Sequence, residues 1–216
     1  MKPSDYSTIA FDCDGVILNS NRVKTNAFYD AALPYGKSNA EELKKYHTQN
    51  GGVSRFTKFQ WFVDCFVEKT LRDEVYEQLL TRYAKIVEEG LLNCEFNEDL
   101  YELKKRTPNT NWLIVSGGSQ SELRALFEKR DLANLFEGGI YGSPDSKEVI
   151  FERELARENI TLPALFIGDS KYDYFSSNKY GLDFIFLSQW TEVYNWRKFC
   201  QENDINTVEA LKNLSV

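Results

Sequence analysis

Four short clusters in the sequence hold residues that could do chemistry together. Asp12 and Asp14 stand two apart in Phe11-Asp12-Cys13-Asp14-Gly15. On an extended segment residues i and i+2 point the same way, so both carboxylates can flank one ligand. Ser116-Gly117-Gly118 offers a hydroxyl and close-approach backbone N–H groups at an expected helix start, a cradle for an anion. Lys147 adds a point positive charge for that anion, and Asp169 and Asp173 add two more carboxylates. Several carboxylates gathered in one place repel one another unless a cation neutralises them. An all-oxygen ligand set with open positions suits Mg²⁺, a hard ion that shares its shell with substrate phosphate. Acids, a hydroxyl, an ammonium and a divalent metal together describe phosphoryl transfer.

The elements that must position these residues are visible as short apolar runs. Thr8-Ile9-Ala10-Phe11 ends at the first aspartate, Trp112-Leu113-Ile114-Val115 ends at Ser116, and Ala164-Leu165-Phe166-Ile167 ends at Gly168-Asp169. Phe184-Ile185-Phe186-Leu187 is a further run, and Glu137 to Gly142 is compatible with a shorter one. Such runs suit buried parallel strands. Between them lie helical patterns over Glu98 to Arg106, Ser119 to Lys129, Lys147 to Asn159 and Lys171 to Lys179. Strands alternating with helices of this length predict right-handed βαβ units and an α/β fold, a doubly wound, mostly parallel, Rossmann-like sheet. In an open sheet of this kind ligands bind outside the carboxyl ends of the strands, so the four clusters converge on one crevice.

Residues 19–92 break the alternation. They hold no convincing strand and at least three helical patterns, with Phe56, Phe59, Val63 and Phe66 at helical spacing and then Leu71, Val75, Leu79, Tyr83 and Val87. These stripes read as helix-packing faces. The expected organisation is a core domain of residues 1–18 and 93–216 with an inserted α-helical cap of residues 19–92, hinged at Gly15 to Asn19 and at Gly90 to Asn93.

Phe11-Asp12-Cys13-Asp14-Gly15-Val16-Ile17, Ile114-Val115-Ser116-Gly117-Gly118-Ser119, Lys147 and Gly168-Asp169-Ser170-Lys171-Tyr172-Asp173 resemble the four ordered motifs of the haloacid dehalogenase superfamily. The insert falls where the phosphoglycolate phosphatase and β-phosphoglucomutase branch carries its cap. The resemblance implies that Asp12 is the nucleophile and forms an aspartyl-phosphate. It implies that Asp14 protonates the leaving alcohol and later activates water. Two such carboxylates need pKa values pushed apart. Mg²⁺ would be held by Asp12, Asp169 and the backbone carbonyl of Asp14, with Asp173 a further or outer ligand. Ser116, Gly117 and Lys147 would hold the phosphoryl oxygens. Gly52-Val53-Ser54-Arg55 resembles a cap loop of the sugar-phosphate mutases, in which Arg55 would grip the phosphate that is not transferred. Lys24 stands where such a mutase carries a histidine, and Ser116-Gly117-Gly118-Ser119-Gln120 reads more like the plain phosphatases.

Composition narrows the field. The 216 residues carry Lys+Arg 26 against Asp+Glu 33, a formal net charge of -7, with 42% hydrophobic residues. That balance offers nothing to a nucleic-acid backbone. His47 is the single histidine, which excludes a HExxH zinc site, and it reads as a half-buried polar residue. Cys13, Cys65, Cys94 and Cys200 form no CxxC pair and read as reduced thiols of a cytoplasmic protein. The amino terminus does not resemble a signal peptide, and no apolar stretch is long enough to span a bilayer. The expected activity is Mg²⁺-dependent hydrolysis of a small phosphorylated metabolite, a sugar phosphate or a phosphoglycolate-like acid, by a monomer or homodimer with no nucleic-acid or membrane partner. A phosphosugar mutase is the rival enzyme, a phospho-receiver domain the non-enzymatic rival. A dehalogenase would not need Asp169 and Asp173 as a metal pair.

Overall fold

The computed structural model describes residues 2–214. β1 (Thr8–Phe11) is buried at every position, as a strand must be when helices cover both faces of a parallel sheet. It lies centrally in a six-stranded sheet with β2 (Asn111–Ser119), β3 (Gly139–Ser143), β4 (Ala164–Gly168), β5 (Asp183–Leu187) and β6 (Asn206–Val208). The order is β3-β2-β1-β4-β5-β6, all neighbours parallel. The strand order therefore reverses between β1 and β4, which is where an open sheet leaves its ligand crevice. The two faces alternate as the pleat requires. Ile9 and Phe11 join a core that continues into the helices between β1 and β2, with Phe28, Phe59, Phe62 and Leu79. Ala10 faces the other way, with Val115, Phe151 and Phe166.

The segment between β1 and β2 is helical, with α1 (Asn21–Ala32), α2 (Lys37–Gln49), α3 (Arg55–Phe66) and α4 (Arg72–Asn93) packed on one another. The remaining helices alternate with strands: α5 (Asp99–Arg106), α6 (Gln120–Lys129), α7 (Lys147–Ala156), α8 (Lys171–Lys179) and α9 (Trp196–Glu202). Among the described residues no helix is long and apolar enough to cross a membrane. All four cysteines are free thiols.

Several elements differ from the sequence expectation, each for a physical reason. β2 runs on through Ser119, with a break in its pairing to β3 between Val115 and Ser119, and α6 starts only at Gln120. Ser116-Gly117-Gly118 is therefore strand and not the start of a helix. α7 stops at Ala156, and Glu158 beyond it takes a left-handed φ of 58°. Gly90 to Asn93 form the last turn of α4. A side chain at Gly90 would sit 2.4 Å from Val23 Cγ1, so this glycine lets α4 approach α1. On α3 the inward face is Arg55, Lys58, Phe59, Phe62 and Val63, while Phe66 is exposed. Leu71, before α4, is exposed as well. Charged side chains thus occupy inward positions of α3 where an apolar stripe was expected.

Candidate active site

Asp12 follows β1 directly, and its backbone N–H donates to Ile167 of β4 at 2.9 Å, which extends the ladder by one residue and fixes the carboxylate at the reversal point. Asp169 follows β4. Gly15 makes the turn past them possible: it has a φ of +78°, and a Cβ there would lie 2.1 Å from Asp169 Oδ2. A left-handed residue with no side chain is what such a close crossing needs. Ser146 caps the start of α7 and so places Lys147 in its first turn. Ser170 caps α8 in a reciprocal capping box with Asp173.

These elements bring Asp12, Lys147, Asp169 and Asp173 into one buried cluster. Lys147 Nζ donates to Asp12 Oδ1 at 2.8 Å and to Asp173 Oδ1 at 2.5 Å. The second oxygen of Asp173 accepts from the backbone of Asp169 and Ser170 and from the Ser170 hydroxyl at 2.7–3.1 Å. Asp169 Oδ2 accepts from Asn21 Nδ2 at 2.7 Å. Asp12, Asp169 and Asp173 each offer a carboxylate oxygen within 4.8 Å of the others. One ammonium does not balance three buried acids, and Asp12 and Asp169 register the excess. Burial pushes Asp12 up to about 7, against the opposing charge of Lys147 and with the help of Asp173 and Asp14. Burial first, then Asp173 and Asp12, hold Asp169 well above the usual carboxylate range. The same acids hold Lys147 firmly protonated although burial works against it. Three hard oxygen donors with surplus negative charge fit a divalent cation such as Mg²⁺.

Asp14 stands apart from that cluster. Its carboxylate accepts from Ser20 Oγ at 2.6 Å and from Lys24 Nζ at 2.5 Å. Burial alone would raise its pKa, but the charge of Lys24 and the bonds from Lys24 and Ser20 outweigh burial and lower it. The two aspartates of one loop are therefore driven in opposite directions. Ser116 is fully buried, its Oγ accepting the Gly118 amide at 3.0 Å. Gly117 and Gly118 line a cavity of about 60 Å³ together with Asp12, Asp14 and Asp169. The far wall comes from the helical insert, with Lys24, His47, Arg55 and Lys58. Arg55 lies on this wall, but its two terminal nitrogens both meet Glu122 of α6, one of them at 3.1 Å.

The sequence reading missed Asn21 and Lys58 and assigned no site role to Lys24. A signal existed for all three. Asn21, Lys24 and Phe28 recur at i, i+3 and i+7 on one face of α1, and Lys58 interrupts an aromatic stripe.

A family model described as haloacid dehalogenase-like hydrolase matches residues 6–176. A search of curated proteins finds no match. Among solved structures, the chain is similar to a predicted phosphatase from Clostridium acetobutylicum, with a TM-score of 0.74 and 17% identity over 97% of this chain and 96% of that one. It is similar to a predicted phosphoglycolate phosphatase from Haemophilus somnus at a TM-score of 0.70 and 18% identity, covering 94% and 93%. A β-phosphoglucomutase from Clostridium difficile aligns at a TM-score of 0.69 and 16% identity over 97% and 93%. At these identities the likeness is one of fold.

Proposed function

The chain belongs to the haloacid dehalogenase-like hydrolase family, and on that premise we propose that it is a Mg²⁺-dependent, cytoplasmic phosphatase of small phosphorylated metabolites. The observation that carries this reading is Lys147 bridging Asp12 and Asp173, with Asp169 beside them, at the point where the strand order reverses. Asp12 and Asp169 would hold the metal. The carboxylate of Asp14 is engaged by Ser20 and Lys24, so Asp14 would join only through its backbone carbonyl, and Asp173 would support the shell from outside. Mg²⁺ bound there would neutralise the carboxylates and polarise the phosphoryl oxygens.

In this reading Asp12 attacks phosphorus. The bond from its carboxylate oxygen to phosphorus forms as the ester P–O bond breaks. Lys147, with Gly117 and Ser116, would hold the phosphoryl oxygens in line. The leaving alkoxide takes a proton from the Asp14–Lys24 pair, and the water that then attacks the aspartyl-phosphate returns one to it. Asp12 is regenerated as inorganic phosphate leaves. A site that holds Asp14 ionised is prepared to take a proton from the nucleophile of the second step, water in a phosphatase and a sugar hydroxyl in a mutase. The four-helix insert, closing the cavity opposite the carboxylates, would act as the cap, with Arg55 a candidate for substrate discrimination. A cavity of about 60 Å³ is far smaller than the ~300–1,000 Å³ of common ligand pockets, which favours a short substrate.

The test is phosphate release from a panel of phosphorylated metabolites and a generic aryl phosphate, with Mg²⁺ and with EDTA. Release should require Mg²⁺, and Asp12→Asn should fall below a few per cent of wild type while keeping its circular dichroism spectrum. Conversion of glucose 1-phosphate to glucose 6-phosphate without release would replace the phosphatase by a mutase. Metal-independent turnover of haloacids would restore a dehalogenase.

A further inference from the structure

Most of the charged side chains on the cavity wall have a counter-charge or a hydrogen-bond partner suited to it. Lys24 has Asp14, Arg55 has Glu122, Asp12 has Lys147, and Glu192 accepts from the Thr25 hydroxyl at 2.6 Å. Lys58 is different. It is 2% exposed, and among the described residues no carboxylate lies within ion-pair distance of it. Its hydrogen-bond partner is His47 Nδ1 at 2.9 Å, and its ammonium rests 5.3 Å from the centre of the Phe28 ring. The His47 ring stacks on the same phenyl at 4.4 Å. When Lys58 is the charged ammonium it can only donate, so His47 Nδ1 then accepts and the imidazole carries its proton on Nε2.

Buried ammonium groups are costly unless paired with an anion. Here α2 and α3 place one, with a donor imidazole beside it, on the wall of the cavity that also holds Asp12 and Asp14. We propose that Lys58 and His47 form a subsite for a second anionic group of the substrate, so that the ester hydrolysed is a short one bearing a carboxylate or a second phosphate. This rests on the phosphatase reading above. The two groups share one small cavity, so the chain that joins the substrate's two anions is short. The electrostatics agree with the geometry. Burial, and then the charge of Lys24, lower Lys58 to about 7, and burial holds His47 well below its usual value. An incoming anion would reverse the first of these shifts.

Three esters built on a two-carbon unit separate the possibilities: ethyl phosphate with no second anion, phosphoglycolate with a carboxylate, and ethanediol bisphosphate with a phosphate. Wild type should turn over at least one of the doubly anionic esters with a kcat/KM about tenfold or more above ethyl phosphate, the scale of one charge-assisted hydrogen bond. In Lys58→Met, nearly isosteric and apolar, that ratio should collapse, and the ester that loses more identifies the anion. Equal kcat/KM for the three esters in wild type, or a preference that survives in Lys58→Met, would overturn the subsite while leaving the phosphatase reading intact. Release from none of the esters would sink the phosphatase reading instead. The subsite is then decided by malonate, which must raise the Tm of wild type and not of Lys58→Met; a rise in both, or in neither, overturns it.

Discussion

Both oxygens of Asp14 are occupied, one by Ser20 and one by Lys24, and the Lys24 and Asp14 side chains are only 9% and 16% exposed. Breaking a buried pair from one side leaves an uncompensated charge and costs about 3–5 kcal/mol. Lys24→Met should therefore lower stability by about 3 kcal/mol near neutral pH, read from urea melts. The sign follows from the lowered pKa of Asp14. Its contribution to stability is present above the unfolded value of ~3.9 and disappears as pH falls through the folded one, so the difference between wild type and variant should shrink in acid. Asp12, Asp14, Lys147, Asp169 and Asp173 were all legible from the sequence, because each stands beside an apolar run or a helix start. Lys24 and Lys58 were not. Their role depends on which core residue the insert helices face, and that is a fact of tertiary packing.

At the scale of elements, the connection from α2 to α3 reaches the sheet. A Cβ on Gly117 would lie 2.2 Å from the Gly52 carbonyl oxygen, so the strand end and the insert loop are in backbone contact. Backbone does not yield as a flexible side chain does. Gly117→Ala should push the 51–53 loop off the sheet, with two consequences. kcat/KM for the best substrate should fall by about tenfold or more, since a displacement of ~1 Å can cost that much. The melting temperature should change little, because the contact lies at the rim and not in the core. Wild-type kinetics in Gly117→Ala would mean that the loop moves freely. The pair of Arg55 with Glu122 spans the same boundary from α3 to α6. Why some elements were readable follows from burial. β1, β4 and β5 are continuous apolar runs, and α8 has a capping box. β6 is three half-exposed or exposed residues, and the last residues of β2 are serine and glycine, so neither carries an apolar period. The inward face of α3 was misread because Arg55 and Lys58 count as surface residues in any hydrophobic pattern. They are turned in to meet the cavity.

For the molecule as a whole, the carboxylate cluster at the sheet's rim ties folding to pH and to metal. Asp12 and Asp169 have folded-state pKa values raised above the unfolded ones. Their contribution to stability is complete below the unfolded pKa of ~3.9 and is lost as pH rises through the folded values, about 7 for Asp12. Lowered His47 and Lys58 pull the other way, His47 in mild acid and Lys58 above about 7, so stability against pH does not by itself isolate the cluster. The increment from Mg²⁺ reports on the cluster more directly, because the cation acts first on the carboxylates that hold it and reaches Lys58 only through the charge of Asp12 and Asp14. Metal binds the ionised carboxylates and displaces their protons, so at fixed Mg²⁺ the increment must grow with pH. At about a hundredfold excess over Kd near pH 8, we expect about 2.7 kcal/mol, or roughly 5–10 °C in Tm for a chain of this size, and clearly less near pH 5.5. Asp169→Asn should lose most of the increment at the higher pH and should itself melt higher than wild type in EDTA there, since it removes a carboxylate that burial disfavours. An increment that is the same at both pH values, or that survives in Asp169→Asn, would mean the cation binds somewhere other than between β1 and β4.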